Sequence, residues 1–251
     1  MAARHLVQIT DLHIGPDPAA RSQGRDTLET LARVVAAVRF EQPAPELVLA
    51  TGDLVNDGSA AAYDRLKPVL KGLERPVAAI PGNHDLAAVM ADHLAGGQIS
   101  LAATHSLDPW RILLLDSTVE GEVHGHLGSD RLRALDAALS ATREDHVLVV
   151  MHHQPAPIGS PLDEVGLDNA GDLFAVLDRH DRVRGLLWGH IHHVHDSTRN
   201  GVRLLGTPST CVQFKSDPKG DFGYTDEPPA FRRLILHDDG AIETEVVWVE
   251  G

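Results

Sequence analysis

The 251-residue chain is poor in cysteine, in basic residues, in aromatics and in long apolar runs. One cysteine, Cys211, excludes an internal disulfide and thiolate-rich zinc or iron–sulfur sites. Only 22 Lys and Arg stand against 36 Asp and Glu, a formal net charge of −14. Long nucleic acid and anionic membranes both reward a basic patch, so neither is expected as a partner. No stretch reaches the ~18 consecutive apolar residues of a membrane-spanning helix. Met1–Leu6 holds Arg4 and His5 but no apolar core region, so no secretory signal is read there and the cytoplasm is the expected compartment. Aromatics make up only 4% of the chain, whereas histidine is abundant at 16 residues and calls for a metal or acid–base explanation. A hydrophobic share of 43% with 23% charge is globular. The length suits one large core, so residues 1–251 are read as a single domain.

Short apolar runs alternate with helical periodicity. Strands are predicted at Leu6–Thr10, Glu46–Thr51, Val77–Ile80, Arg111–Asp116, Val147–Met151, Arg184–Trp188 and Val202–Leu205. Helices are predicted over about Arg25–Phe40, with Leu28, Leu31, Val35 and Val38 on one face, and over Ala60–Leu70, with Pro68 at a kink or end. Two more fall near Leu132–Leu139, capped by Ser129, and near Asn169–His180. Phe231–Leu236 and Ile242–Val249 read as a hairpin turning at Asp239-Gly240, a unit at about 231–249 that completes a sheet. The alternation gives an α/β class with an antiparallel end. Gly15–Gly24, Pro155–Gly166 and Ser216–Pro229 read as long loops, the first two beside a site.

Five short polar motifs each follow an apolar strand: Asp11-Leu12-His13, Gly52-Asp53, Gly82-Asn83-His84-Asp85, His152-His153, and Gly189-His190-Ile191-His192. Open α/β sheets build their sites at the carboxyl ends of strands, so the five can converge on one crevice. Carboxylate, imidazole and amide donors without sulfur suit Mn, Fe, Zn, Co or Ni. Asp11 and His13, and likewise His190 and His192, are two apart, a spacing that puts both side chains on one side of an extended segment. Gly52, Gly82 and Gly189 are read as sharp turns before the ligands. Singly, each motif has a plainer explanation. Asp53 suits a helix N-cap, Gly82-Asn83 a left-handed turn, and His190 and His192 an exposed loop.

In this order and at these separations, D-x-H, G-D-x(4)-G over Gly52–Gly58, G-N-H-D, a lone His after a strand, and G-H-x-H make the chain resemble the calcineurin-like metallophosphoesterases. Met151-His152-His153-Gln154-Pro155, the run Gly206–Phe214 and the run Pro229–Leu234 are similar to the bacterial class III 3′,5′-cyclic nucleotide phosphodiesterases. The resemblance implies a four-layer α/β/β/α sandwich of two facing mixed sheets flanked by helices. It implies two metal ions, iron and manganese foremost, with Asp11, His13 and His192 on one, Asn83, His152 and His190 on the other, and Asp53 bridging both. His84 is implied to stay off the metals and, with Asn83, to meet the phosphate, stabilising charge or protonating the leaving alkoxide. The implied reaction is hydrolysis of cyclic AMP to 5′-AMP by in-line attack of a metal-bridging hydroxide. The implied partners are a small phosphodiester and a second copy in a homodimer.

Two alternatives stay open at this stage. One is a broader phosphodiesterase acting on 2′,3′-cyclic nucleotides, glycerophosphodiesters or other small diesters, since pocket walls rather than metals choose the substrate. The other is a metal- or nucleotide-binding protein without turnover. Outside the motifs, His5, His93, His105, His146, His180 and His237 read as surface or structural residues, as do His124 and His126. His153, His193 and His195 flank ligands, and one of them is expected to have a role. Cys211 reads as a small packed thiol, Phe214, Phe222 and Tyr224 as base-stacking or packing residues, and Arg25, Arg232 and Arg233 as too scattered for a phosphate clamp.

Overall fold

The central strands lack the apolar/polar alternation of a one-sided sheet, and a computed structural model describing residues 3–215 and 222–250 shows why. Each central strand is covered on both faces. Along the chain run β1 (Arg4–Ile9), α1 (Thr27–Arg39), β2 (Leu47–Thr51), α2 (Ala60–Lys71), β3 (Val77–Ile80), α3 (Ala87–His93), β4 (Ile99–Ser100), β5 (Thr104–Leu107) and β6 (Trp110–Leu114). Then follow α4 (Ser129–Ala141), β7 (His146–Val150), α5 (Ala170–Leu177), β8 (Val183–Trp188), β9 (His195–Arg199), β10 (Val202–Gly206), β11 (Gln213–Phe214), β12 (Tyr224–Thr225), β13 (Ala230–Leu236) and β14 (Ile242–Trp248).

Two six-stranded sheets form, in the orders β14-β13-β1-β2-β3-β4 and β5-β6-β7-β8-β10-β9. In the first, β1 to β4 are parallel and the β13–β14 hairpin is antiparallel. In the second, β6, β7, β8 and β10 are parallel, with antiparallel edges β5 and β9. Period-2 geometry then sorts the side chains. Leu47 and Leu49 of β2 meet Leu148 and Val150 of β7 between the sheets, with Leu6, Ile112 and Leu187. Val48 and Ala50 turn the other way, onto Leu31 and Val34 of α1 and Leu66 of α2. Val147 and Val149 turn onto Leu135 of α4 and Leu173 of α5. The result is the expected four layers, helix–sheet–sheet–helix. Fully covered parallel strands read as continuous apolar runs.

One polar group crosses the apolar middle layer. The Gln8 amide, fully buried, donates to Thr51 Oγ1 at 2.8 Å and to the Trp188 carbonyl at 3.0 Å, and accepts from Thr207 Oγ1. The buried Arg232 guanidinium donates to Thr207 Oγ1 at 2.8 Å and to the Gly206 carbonyl at 2.7 Å. These bonds tie β1 and β13 of one sheet to β8 and β10 of the other, and every buried donor named has a partner.

Several sequence expectations need correction. Pro68 lies inside α2, which runs on to Lys71. A proline in the last turn removes one hydrogen bond without stopping the helix. Ser129 is the first helical residue of α4; Gly128 holds the N-cap position and no side chain caps it. β6 stops at Leu114 rather than Asp116. α3, β4, β5, β9 and the short β11–β12 ribbon were not predicted, being short or polar. The loop Pro155–Gly166 holds a short 3-10 turn at Pro161–Val165. Of the loop Ser216–Pro229, residues 216–221 lie outside the described residues. The C-terminal hairpin turns as expected at Asp239-Gly240, where Gly240 takes φ +87° and its N–H donates to the His237 carbonyl. Among the described residues no helix is long and apolar enough to cross a membrane.

Candidate metal centre

Every motif lies just past the carboxyl end of a parallel strand: Asp11 and His13 after β1, Asp53 after β2, Asn83 and His84 after β3, His152 after β7, His190 and His192 after β8. Because the two sheets face each other, strand ends from both reach one cleft. The segments carrying the paired residues are not extended, contrary to the spacing argument. Asp11 (φ 54°), His13 (46°), Asp53 (49°), His190 (65°) and His192 (49°) all occupy the left-handed region. They are five of the eight non-glycine residues with positive φ among the described residues. Left-handed backbone at such residues costs of order 1–3 kcal/mol each and persists only where surroundings impose it. Here the chain curls back at each strand end so that alternate side chains point into the cleft.

The glycines act differently from the expectation. Only Gly52 has a positive φ, +93°. Gly82 and Gly189 are needed for closeness. A Cβ on Gly82 would press on Asp53 and approach His152 Nε2 to 2.8 Å; one on Gly189 would overlap Thr10 Oγ1 and come within 2.6 Å of Asp11 Oδ2. They mark where neighbouring strand ends touch.

The inward-facing atoms form a continuous chain of donors. His13 Nε2 and His192 Nε2 are 3.3 Å apart, His192 Nε2 and Asp11 Oδ1 3.3 Å, and His13 Nε2 and Asp53 Oδ2 3.7 Å. On the other side, His152 Nε2 lies 3.4 Å from Asp53 Oδ1 and 3.2 Å from Asn83 Oδ1. Ligands at ~2.0–2.2 Å from one ion sit roughly 2.8–3.6 Å from each other, so this spacing fits metal coordination. The groups Asp11/His13/His192, Asp11/Asp53/His152 and His152/His153/His190 each converge closely enough for one ion. Asp53 is common to both halves. The tautomers agree: His152 Nδ1 donates to the Thr51 carbonyl at 2.8 Å and His192 Nδ1 to the Val212 carbonyl at 2.7 Å, so each Nε2 keeps its lone pair for the cleft. His190 Nε2 is buried without any hydrogen-bond partner.

Electrostatics point the same way. Burial pushes His13 down to about 4 against the pull of Asp53, and burial with the nearby His152 pushes His190 down to about 3. Both are neutral imidazoles at pH 7, the form that binds a cation. Burial opposes ionisation of Asp53 and Asp11, yet His152 and His13 hold Asp53 well below the carboxylate range, and His192 lowers Asp11. For His152 burial is outweighed by the Asp53 carboxylate, which raises it to about 9. A proton there occupies the place a cation would take.

His84 is exposed, with Nδ1 2.9 Å from the Asn56 carbonyl and its ring 4.8 Å from that of His13. Proximity would also admit it as a ligand beside His13 and Asp53. His153 belongs to the wall: Nε2 donates to the Val123 carbonyl at 3.1 Å and Nδ1 accepts from Ser117 Oγ at 2.8 Å, so both nitrogens are taken. His193 is buried with neither nitrogen partnered, and His195 Nε2 meets Ser197 Oγ at 2.8 Å. Cys211 is buried beside Ser209, and burial pushes its thiol up to about 12. Arg25 donates to the Cys211 and Glu227 carbonyls, and Arg233 pairs with Glu41 and Glu245, so neither forms an anion clamp.

Sequence reasoning missed the group that joins two of these loops. Asp85 is buried and accepts from the backbone N–H groups of Leu54 (3.0 Å), Val55 (3.2 Å) and Gly82 (2.9 Å) and from Tyr63 O–H (2.7 Å). The loop of Asp53 and the loop of Asn83 are therefore hung from one carboxylate. Burial and the charge of Asp53 push that carboxylate up to about 6, against the donors of Gly82, Leu54 and Tyr63. Its place in Gly82–Asp85 was a signal; Tyr63, on the buried face of α2, offered none.

Comparison with known proteins agrees with this geometry. Residues 4–194 match the family model described as calcineurin-like phosphoesterase. The chain is 41% identical over 246 residues, 98% of its length and 90% of the relative's, to the 3′,5′-cyclic adenosine monophosphate phosphodiesterase CpdA of Pseudomonas aeruginosa. It is also 41% identical, over 96% of its length and 88% of the relative's, to CpdA of Escherichia coli strain K12. In fold it is similar to a dimetal phosphatase from Danio rerio, with a TM-score of 0.67 at 16% identity, covering 98% of this chain and 99% of the other.

Proposed function

The chain belongs to the calcineurin-like phosphoesterase family, and from that premise we propose that it is a dimetal phosphodiesterase hydrolysing 3′,5′-cyclic nucleotides, cyclic AMP foremost, to the 5′-monophosphate. The observation that carries the substrate is the 41% identity, over nearly the whole of both chains, to relatives named as 3′,5′-cyclic AMP phosphodiesterases. The observation that supports the chemistry is the convergence of two donor groups on Asp53.

In this reading Asp11, His13 and His192 would hold one ion, Asn83, His152 and His190 the other, and Asp53 would serve both. Two bound dications supply charge neutralisation for the phosphodiester anion and an acidified water as nucleophile. The residues supply the rest. Asp11 and Asp53, already favouring the anionic form, fix the ion positions without reorganisation. The carbonyls of Thr51 and Val212 hold the rings of His152 and His192 in the ligating tautomer. Asn83 keeps its Nδ2–H group for a phosphoryl oxygen. His84, aligned by the Asn56 carbonyl and exposed beside His13, would donate a proton to the departing ribose oxygen.

Iron and manganese are the proposed pair, as the family resemblance implies, and the all-nitrogen-and-oxygen donor set suits both. The proposed working unit is one domain over the whole chain, paired as a homodimer, in the cytoplasm. The decisive measurement is kcat/KM of manganese-loaded protein across 3′,5′-cyclic AMP, 3′,5′-cyclic GMP, 2′,3′-cyclic AMP and bis-p-nitrophenyl phosphate. The 3′,5′-cyclic nucleotides should lead. A higher value for the 2′,3′-cyclic nucleotide or the artificial diester would overturn the substrate while leaving the phosphodiesterase intact.

A further inference from the structure

The chain has ten aromatic residues, Phe, Trp and Tyr together, and three of them meet beside the candidate metal centre. The Phe214 ring lies flat on the His192 imidazole, centroids 3.9 Å apart and planes at 11°. Phe222 and Tyr224 then pack on Phe214, at 4.9 and 5.5 Å, and on each other at 5.5 Å. The β11–β12 pairing sets Phe214 opposite Tyr224. Phe214 is half-buried, but Phe222 is 51% and Tyr224 39% exposed.

Exposed rings are costly in water unless something covers them. The large apolar side chains exposed among the described residues are six; two of them, Phe222 and Tyr224, stand on Phe214 beside His192, and three more belong to segments that carry or touch site residues. Leu86 follows His84 by two residues and Val194 follows His192 by two. The Val123 carbonyl bonds His153, and Phe222 and Tyr224 stand on Phe214. A charged floor edged by apolar groups does not suit a bare phosphate. It suits a phosphodiester carrying a flat apolar group one ribose away.

We propose that Phe222 and Tyr224 are the stacking platform for the nucleobase of the substrate, with Phe214 the spacer that fixes the platform to His192. The inference rests on the cyclic nucleotide reading above and adds the specificity element which that reading lacks. Two ring-to-ring steps of 3.9 and 4.9 Å lead from a metal-facing imidazole to the open face of Phe222. Stacking on such a face is tolerant of base identity, because every base offers a π-face, and is strongest for purines.

The test compares two substrates that differ only in the base: 3′,5′-cyclic AMP and ribose 3,5-cyclic phosphate. Phe222→Ala with Tyr224→Ala should reduce kcat/KM for cyclic AMP, through KM, by tenfold or more beyond any loss on the abasic diester. Phe222→Tyr should restore most of it. A direct readout needs no turnover: the fluorescence of Phe222→Trp should be quenched by 5′-AMP and not by ribose 5-phosphate. Equal losses on both substrates, or no quenching by 5′-AMP, overturn the platform. If wild-type protein cleaves the abasic diester and leaves cyclic AMP intact, the cyclic nucleotide reading fails, and the quenching experiment still decides the platform separately.

Discussion

Asp85 touches no proposed ligand side chain, yet its removal should disturb the metal centre more than that of most ligand-free residues. Its carboxylate takes four hydrogen bonds in a buried setting. In Asp85→Asn one oxygen becomes an amine. If the amine faces Tyr63 and Val55, the tyrosine hydroxyl can turn round to accept, but Val55 N–H loses its acceptor. If it faces Leu54 and Gly82, two backbone donors lose theirs. Each orphaned buried donor costs about 1–3 kcal/mol, so the favoured orientation should destabilise by roughly that amount once. Tyr63→Phe removes one bond to a charged acceptor, about 1.5–3 kcal/mol. The two residues are in contact, so their effects should not add. Once the hydroxyl is gone the amide no longer needs it to reverse, and a double-mutant cycle should show coupling of about 0.5–3 kcal/mol. The assay is urea unfolding of the chelator-treated protein at pH 8, where no ion contributes and Asp85 is ionised. Metal titration should then show weakened binding in both variants, because the Gly82 turn positions Asn83 and the His84 N–H that holds Asp53 Oδ1 at 2.9 Å. Additivity within ~0.3–0.5 kcal/mol, or unchanged metal affinity in Asp85→Asn, would refute the reasoning.

Further outcomes follow from the same geometry. Asp53→Ala should lose both ions and all hydrolysis, since one carboxylate serves both positions; metal analysis reporting two equivalents, or near-normal turnover, would contradict the bridging role. His84→Ala should keep two ions and lose ~10²–10⁴-fold in kcat, whereas stoichiometric metal loss would make His84 a ligand. In metal-free protein, His13 (pushed down to about 4) and His190 (about 3) bind protons in the unfolded state before the folded one. Stability should therefore fall as pH drops from about 6.5, by up to ~1.4 kcal/mol per pH unit for each. His152, raised to about 9, works in the opposite sense, its contribution present below about 6.5 and lost as pH rises towards 9. A urea midpoint that stays flat between pH 7 and 5 would argue against these burial effects.

The α/β class was legible because fully covered strands announce themselves: LVLAT and VLVVM cannot lie at a surface, whereas the four-layer sandwich was implied only by the family resemblance. The polar motifs were legible because each interrupts such a run at its carboxyl end. What escaped has a common cause. β5 and β9 are edge strands whose outward residues are polar, as in His195-Asp196-Ser197-Thr198-Arg199, so no apolar period marks them. The left-handed turns at Asp11, His13, Asp53, His190 and His192 escaped because Asp and His tolerate positive φ more than most residues but adopt it only where neighbours impose it, and those neighbours only the fold supplies. Tyr63 meets Asp85 across 22 residues, and such a contact has no local signature.

The seven residues proposed to hold ions are shared across the cleft: four, Asp11, His13, Asp53 and Asn83, belong to the first sheet and three, His152, His190 and His192, to the second. Neither ion position draws on one sheet alone. A nascent chain of 150 residues would carry every first-sheet ligand and none from the second, so it could capture neither ion firmly. On that proposal metal uptake would be a late event in biogenesis, and the ions would act as rivets joining two halves that water could otherwise pry apart at their polar end. Turnover would report not only that metal is available but that the two sheets have closed on each other.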